Sequence, residues 1–199
     1  MPNKCDPSFK FQAVNKFTLS SNSQKSDEEL AKLTQGGDLP AFDELSQRYW
    51  PRIRRFLMGI LDHAAAADVT QESLLRAYHK IHLYNPQKSF APWIFTIARR
   101  VALNEKKRKS KRKEDSIQDH NLPCHEESAE NRLLQPLWAL AAEVLNEKSY
   151  QALRLHYAED LSIREIGQIM GKTETGIKVI LFRARQKLQK KATSRGISL

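Results

Sequence analysis

Two features are scarce in this chain of 199 residues: cysteine and long apolar runs. The two cysteines, Cys5 and Cys124, are too few for the disulfide framework of a small secreted domain. A membrane-spanning helix needs about 20 apolar residues in succession, and the sequence contains no such run. Residues 1–26 lack the continuous apolar core and the cleavage signal of a secretory leader. We therefore expect a cytoplasmic protein without membrane insertion.

The sequence also lacks the common motifs of catalysis. It has no metal-binding histidine pair at helical spacing, no glycine-rich phosphate loop and no recognisable nucleophile motif. Cys124 stands beside His125 and near His120, but a tetrahedral metal site requires a fourth ligand and tighter spacing. The sequence thus predicts no enzyme, no metal site and no cofactor.

Positive charge, in contrast, is abundant. The chain has 33 lysines and arginines against 23 aspartates and glutamates, for a net charge of +10. An excess of this size favours an anionic partner, either a nucleic acid or a membrane surface.

Apolar residues recur at helical spacing throughout the folded segments, and no strand-like alternation appears. The predicted fold is all-α, with two small helical domains joined by a flexible acidic linker. We expect five segments: a mobile N-terminal tail (1–25), a first helical domain (26–113), the acidic linker (114–132), a second helical domain (133–192) and a short tail (193–199).

Several signals mark helix boundaries in the first domain. Ser26 and Glu29 form a capping box, which predicts a helix start. Pro51 is expected to kink or break the second helix. The third helix is predicted from about residue 65 to 83, and the fourth begins near Pro92, since proline is favoured in a first helical turn.

The second domain contains the most informative motif, two short helices joined by a tight turn. Ser162 with Glu165 caps the first helix, Gly171 can end it in a left-handed conformation, and Thr173 caps the second. Apolar residues then share one face of the second helix, while basic residues lie elsewhere on it. This pattern predicts a DNA-binding helix-turn-helix. The alternative is a helical hairpin with a solvated basic face.

Both domains, in this order, resemble the extracytoplasmic-function sigma factors of bacterial RNA polymerase over residues 27 to 192. In the first domain the resemblance rests on residues 41–42, 49–52, 68–72, 75–78, 90 and 93–99. In the second it runs from Leu145 through Ser162, Glu165, Ile166, Gly171, Ile177 and Lys178 to residues 183–185 and Leu188. The resemblance implies that the protein binds core RNA polymerase and promoter DNA, with an anti-sigma factor as a further candidate partner.

The resemblance assigns the −35 element to the second helix of the helix-turn-helix. Its contacts would fall on Lys178, Val179, Phe182 and Arg183, with Arg185 and Lys187 near the DNA backbone. Ile180 departs from the family, which usually has arginine or a small polar residue there.

The resemblance assigns the melted −10 strand to the segment between the third and fourth helices. The family's base-capturing residues would be Tyr84, Asn85, Lys88, Ser89 and Phe90, supported by Arg100 and Asn104. Aromatic residues in such a segment also pack in cores, so core packing is the alternative for Phe90 and Trp93.

The resemblance assigns polymerase binding to Asp68, Gln71 and Glu72 on the third helix. The alternative is that these residues mark a helix start, where acids are stabilised by the helix dipole; both can hold, because a capping acid can still be exposed to a partner. The acidic linker would imitate a polyanion in the RNA channel of the polymerase, or else serve as a solvated spacer.

Two other classes of protein share parts of this pattern. One is a repressor or activator that binds duplex DNA without polymerase. The other is a helical RNA-binding protein, for which the basic stretch from Arg99 to Lys113 would hold the RNA.

Overall fold

A computed structural model describes residues 22–113 and 135–195, and these are helical with no β-strand. The predicted linker, most of the N-terminal tail, and Cys5, His120, Cys124 and His125 lie outside the described residues. The first domain contains α1 (Asp27–Gln35), α2 (Leu39–Leu57), α3 (His63–Lys80), a 3₁₀ turn (Ile81–Leu83) and α4 (Phe90–Lys113). The second contains α5 (Gln135–Val144), α6 (Glu147–Tyr157), α7 (Ile163–Met170) and α8 (Glu174–Ser194).

The predicted capping box at the start of α1 is confirmed. The Ser26 hydroxyl accepts from the Glu29 amide at 3.2 Å, and the Ser26 amide donates to the Glu29 carboxylate at 2.8 Å. Side chains at the starts of the next two helices act similarly, because Asp38 and Asp62 each accept a backbone amide three residues later. Amides that a helix leaves unpaired at its start are thereby satisfied.

Some helix boundaries in the structure differ from the predicted ones. The helix α2 is not broken at Pro51, whose ring lies exposed while the neighbouring Ile53 and Phe56 are fully buried. Burial of these apolar side chains offsets the hydrogen bond that proline removes. The third helix ends at Lys80 and gives way to the 3₁₀ turn, and the fourth begins at Phe90, before the predicted Pro92.

Aromatic side chains form the centre of the first domain. Phe95 meets Phe56 edge-to-face with ring centroids 5.3 Å apart, and Tyr49 meets Phe90 at 5.2 Å. All four rings are buried. Aromatic pairs of this geometry add to the stability gained from burial alone.

The second domain contains the predicted helix-turn-helix. Ser162 and Glu165 form the capping box of α7, and Gly171 ends the helix in the left-handed conformation, with φ of 62°. Thr173 caps α8 by accepting the Gly176 amide at 3.1 Å. At Gly167 an added Cβ would lie 2.8 Å from the Lys172 carbonyl oxygen, so this close turn requires glycine.

The two domains pack directly against each other, with α4 against α7 and α2 against α6. The Nε atom of Arg52 donates to Glu159 Oε2 at 2.7 Å, and the Glu159 side chain is only 1% exposed. Nearby, a Cβ at Gly59 would lie 2.4 Å from the ring of Tyr150. The sequence did not predict this contact, since its helical patterns indicate only that each domain has a core.

Further polar contacts cross the same interface. Arg99 donates to Gln151 at 3.2 Å, and Lys106 forms an ion pair with Glu147. Burial lowers the pKa of Arg55, and the like charge of Arg154 lowers it further. Several guanidinium groups therefore lie near the buried carboxylate of Glu159.

Replacing this carboxylate by a neutral amide, Glu159→Gln, should destabilise the protein by about 1.5–3 kcal/mol, the typical range for a hydrogen bond to a charged group. Arg52 would keep its stacking on Tyr49, at 4.3 Å, but its other carboxylate, Asp27, lies 4.0 Å away. Urea unfolding measures the change. The matched control is Glu143→Gln, an exposed acid bonded to Arg195, and an equal effect of the two substitutions would contradict the prediction.

Candidate nucleic-acid interface

Helix α8 has one buried face and one exposed apolar face. Ile177, Leu181, Ala184 and Leu188 are buried against the domain, as predicted for one side of the helix. On the other side Val179 is 41% exposed and Phe182 is 55% exposed. Large apolar side chains kept in water on a well-packed helix indicate a binding surface.

Unpaired cations lie around that exposed face. Lys178, Arg183 and Lys187 are exposed, and none has an acidic partner within residues 22–113 and 135–195. Arg185, in contrast, has a hydrogen-bond partner on another helix: its Nη1 donates to the Tyr157 hydroxyl at 3.3 Å. Ile180, the departure from the family pattern, is half-buried against the core. The face therefore presents positive charge and apolar groups together.

The aromatic ends of the segment from residue 84 to 90 are core side chains. Phe90 is 1% exposed and Tyr84 is 4% exposed, and their rings meet edge-to-face at 5.3 Å. Trp93 lies half-buried at 5.3 Å from Tyr84 and 5.4 Å from Phe90. The packing alternative for Phe90 and Trp93 is thus the arrangement in the structure, and Phe90 has no surface with which to contact a base.

The residues between these rings are exposed: Asn85, Lys88 and Ser89. The Asn85 side chain accepts the Gln87 amide at 3.0 Å, which leaves its own amide group available to a ligand. The Tyr84 hydroxyl donates to the Lys88 carbonyl, and burial raises the pKa of this phenol to about 12. We call residues 85–89 the exposed loop.

Helix α1 fixes both ends of the exposed loop. Gln35 donates to the carbonyls of Ile81 and Tyr84, at 2.7 and 2.8 Å. At the other end, Glu28 accepts the Phe90 amide at 3.0 Å. Sequence reasoning missed Gln35 and Glu28, because no local pattern links them to a loop some 50 residues away.

Arg100 and Asn104 are exposed on α4 and lie one turn apart on one side of it. At 1.5 Å per residue they are about 15 and 21 Å along the helix from Phe90. Asn104 lines a groove between α3 and α4 that also contains Asp68 and Glu72. Both residues therefore lie beyond direct contact with the exposed loop but within the span of a few nucleotides, and Asn104 lies beside the acids predicted to bind polymerase.

The acidic patch on α3 does not cap the helix. The N-cap is Asp62, and Asp68 is exposed in the second turn, beyond the reach of the unpaired amides. Gln71 is exposed, and Glu72 forms an ion pair with Arg76 at 2.5 Å. Leu75, whose apolar side chain at helical spacing predicts a place in the core, lies one turn further along the helix and is instead 49% exposed. The helix-start alternative for these side chains is wrong.

Within the part of the chain that the structure describes, no helix is both long and apolar enough to cross a membrane. Over those residues histidine, cysteine and acidic side chains form no cluster suited to a metal ion.

Comparison with known proteins shows what class of protein this architecture defines. Residues 45–112 match the family model of sigma-70 region 2, and residues 138–188 match that of sigma-70 region 4. The chain therefore has the two-domain organisation of a sigma-70-type initiation factor.

Individual relatives narrow the assignment. The ECF RNA polymerase sigma factor SigM of Bacillus subtilis is 34% identical over 167 residues, which are 78% of this chain and 97% of that protein. The ECF RNA polymerase sigma-E factor of Haemophilus influenzae is 26% identical over 181 residues, 84% of this chain and 96% of that protein. The chain belongs to the extracytoplasmic-function (ECF) family of RNA polymerase sigma factors.

A solved structure has the same fold. The sigma factor RpoE from Bartonella quintana, in complex with the anti-sigma factor NepR, gives a TM-score of 0.66 at 23% identity, covering 75% of this chain and 94% of that one. Family membership makes this protein a non-catalytic factor in promoter-specific transcription initiation, not an enzyme. It also excludes the repressor and RNA-binding alternatives.

Proposed function

We propose that three parts of this ECF sigma factor bind different partners: α8 binds the −35 element, the exposed loop captures the melted −10 strand, and α3 docks on core RNA polymerase. The observation that carries the proposal is the exposed face of α8, where Val179 and Phe182 lie among unpaired cations. Such a factor works where the polymerase is, and we place it in the cytoplasm.

The −35 assignment follows from what the major groove accepts. The groove is about 12 Å wide and admits one α-helix. Arg183 can donate two hydrogen bonds to a guanine edge, while Val179 and Phe182 can contact thymine methyl groups. Lys178, Arg185 and Lys187 lie nearer the sides of the helix and suit phosphate contacts.

The residues proposed to contact the −10 strand differ in one respect from those that the family resemblance implies. Because Tyr84 and Phe90 are buried, they support the exposed loop from below, and the contacts to bases and phosphates fall to Asn85, Lys88 and Ser89. A single strand needs cations along its backbone, and Lys88 and the exposed Arg100 supply them.

Simultaneous contact with both elements requires the domains to separate. The −10 and −35 elements lie about 25 base pairs apart, which is about 85 Å at 3.4 Å per base pair. In the structure the Arg52–Glu159 ion pair holds the two domains in direct contact. We propose that polymerase binding opens this interface. Anti-sigma factors, such as the one bound to Bartonella quintana RpoE, are candidate partners of the closed form.

Run-off transcription with purified core polymerase on genomic templates tests the proposal. Addition of the protein should produce new, defined start sites. On a promoter mapped in this way, Lys88→Ala should reduce the permanganate reactivity of unpaired thymines, because the strand loses a phosphate contact, while Lys32→Ala, an exposed lysine on α1, should not. Unchanged start sites with folded protein would refute the function, and normal opening with Lys88→Ala would refute the loop assignment.

Removing a base contact and removing a phosphate contact on α8 should change DNA binding in different ways. Arg183→Ala should cost about 1–3 kcal/mol and relax the preference at one −35 position. Lys187→Ala should weaken binding to every sequence and lower the salt slope by about one. Holoenzyme binding to a set of −35 variants at several salt concentrations measures both. Equal loss on all sequences for Arg183→Ala would show that this residue contacts phosphate.

The docking surface on α3 can be tested by a triple substitution, Asp68→Ala with Gln71→Ala and Glu72→Ala. Core binding should weaken, whereas helical content should stay the same, since alanine favours helix and the exposed Glu72–Arg76 pair adds little. A core pull-down and circular dichroism measure the two effects. Glu143→Ala, an exposed acid of the second domain, is the control. Undiminished pull-down by the triple variant would exclude this surface from docking.

A further inference from the structure

We infer that the closed form of this protein, in which the two domains are in contact, binds a phosphate group between them at Arg154 and Arg55. Arg154 belongs to α6 of the second domain and Arg55 to α2 of the first, and these two helices pack against each other. The proposed contacts with DNA and polymerase use neither residue. The inference therefore adds a ligand to the functions proposed above.

The Arg154 side chain carries the inference. It is only 3% exposed, and its guanidinium stacks on the ring of Trp138 at 4.8 Å from the centroid, which restrains its plane. Its Nε and Nη2 atoms are buried, and neither has a hydrogen-bond partner within residues 22–113 and 135–195. Because buried donors in native proteins are nearly always paired, these two nitrogens indicate a ligand.

The two nitrogens are also the pair that an oxyanion requires. Nε and Nη2 lie on the same edge of the planar guanidinium, and their N–H bonds point in parallel. With this edge arginine donates two hydrogen bonds to two oxygens of one phosphate or carboxylate. The geometry of Arg154 thus favours an acceptor that has two oxygens side by side.

The surrounding charges favour a dianion over a single carboxylate. Burial lowers the pKa of Arg55, the charges of Arg154 and Arg52 lower it further, and the carboxylate of Glu159 opposes them. That carboxylate is already bonded to Arg52. Within this group of four residues, three guanidinium groups stand against one carboxylate, an excess of two positive charges. A water molecule would leave the excess unchanged, whereas a phosphate group carries up to two negative charges near neutral pH.

Burial limits the size of the ligand. Because Arg154 is almost fully buried, neither the backbone of duplex DNA nor a folded partner reaches its free edge while the domains are in contact. The ligand is therefore small, either free inorganic phosphate or a compact phosphate ester. Since its oxygens bind arginines of both domains, it stabilises the domain contact. If polymerase opens this contact, as proposed above, the ligand also opposes polymerase binding.

Thermal unfolding of the full chain during a phosphate titration tests the site, with sodium chloride added to keep the ionic strength constant. A ligand at ten times its Kd favours the folded state about elevenfold, which raises the melting temperature of a chain of this size by about 3–6 °C. Arg154→Met should abolish this shift, and Arg55→Met should reduce it by about half. Arg195→Met, which removes an exposed arginine bonded to Glu143, should leave it unchanged.

Two further measurements separate the fork from its charge and the free ion from its esters. Arg154→Lys keeps the charge but cannot donate in parallel to two oxygens, so it should retain less than about half of the shift. This variant decides the matter if Arg154→Met does not fold. Adenosine monophosphate, titrated in the same way, identifies a phosphate ester as the ligand if it saturates at a lower concentration than phosphate. The absence of a saturable shift in the wild type, or a full shift in Arg154→Met or Arg154→Lys, would overturn the inference.

A core pull-down without DNA, at constant ionic strength, tests the consequence for polymerase binding. Phosphate at ten times its Kd should weaken the association of the wild type with core polymerase about tenfold, and it should leave that of Arg154→Met unchanged. If phosphate raises the melting temperature but does not change the pull-down, the phosphate site is supported. The proposed opening of the interface by polymerase would then be refuted.

Discussion

Within residues 22–113 and 135–195, the contact between the two domains is built around the buried carboxylate of Glu159. A buried charge is tolerated only when it is paired, and Arg52 of α2 supplies the partner at 2.7 Å. This pair fixes α6 against the first domain, while α7 packs on α4. On α8, Val179 and Phe182 stay exposed in this arrangement. The domain contact therefore leaves the proposed DNA-binding face free even though the two domains are closed on each other.

Helix α1 has a comparable role within the first domain, although it carries none of the proposed contacts with DNA or polymerase. Its Asp27 accepts from the buried Tyr49 hydroxyl at 2.6 Å, which ties α1 to the aromatic core. Gln35 and Glu28 then hold the two ends of the exposed loop. The polar residues of that loop are thus presented on a backbone fixed from both sides, so less conformational entropy is lost when a ligand binds.

The helix-turn-helix was predictable because its signals act over a few residues. A capping box links positions three apart, and a left-handed glycine ends a helix at the residue where it stands. Ser162, Gly171 and Thr173 have the predicted roles for this reason. Phe90 shows the limit of such reasoning, because an aromatic residue in a loop has the same sequence signature whether it faces solvent or the core. Only its packing against Tyr49, Tyr84 and Trp93 decided between the two.

By itself the sequence determined the helical fold class, the helix-turn-helix, the excess of positive charge and the family, since periodicity, caps and motifs are local properties of the chain. Only the tertiary structure decided which aromatic residues are buried and which residues of α1 hold the exposed loop. It also decided that Arg52 and Glu159 meet across 107 positions of sequence. Contacts over such separations depend on how whole helices pack, and no short pattern of residues encodes that packing.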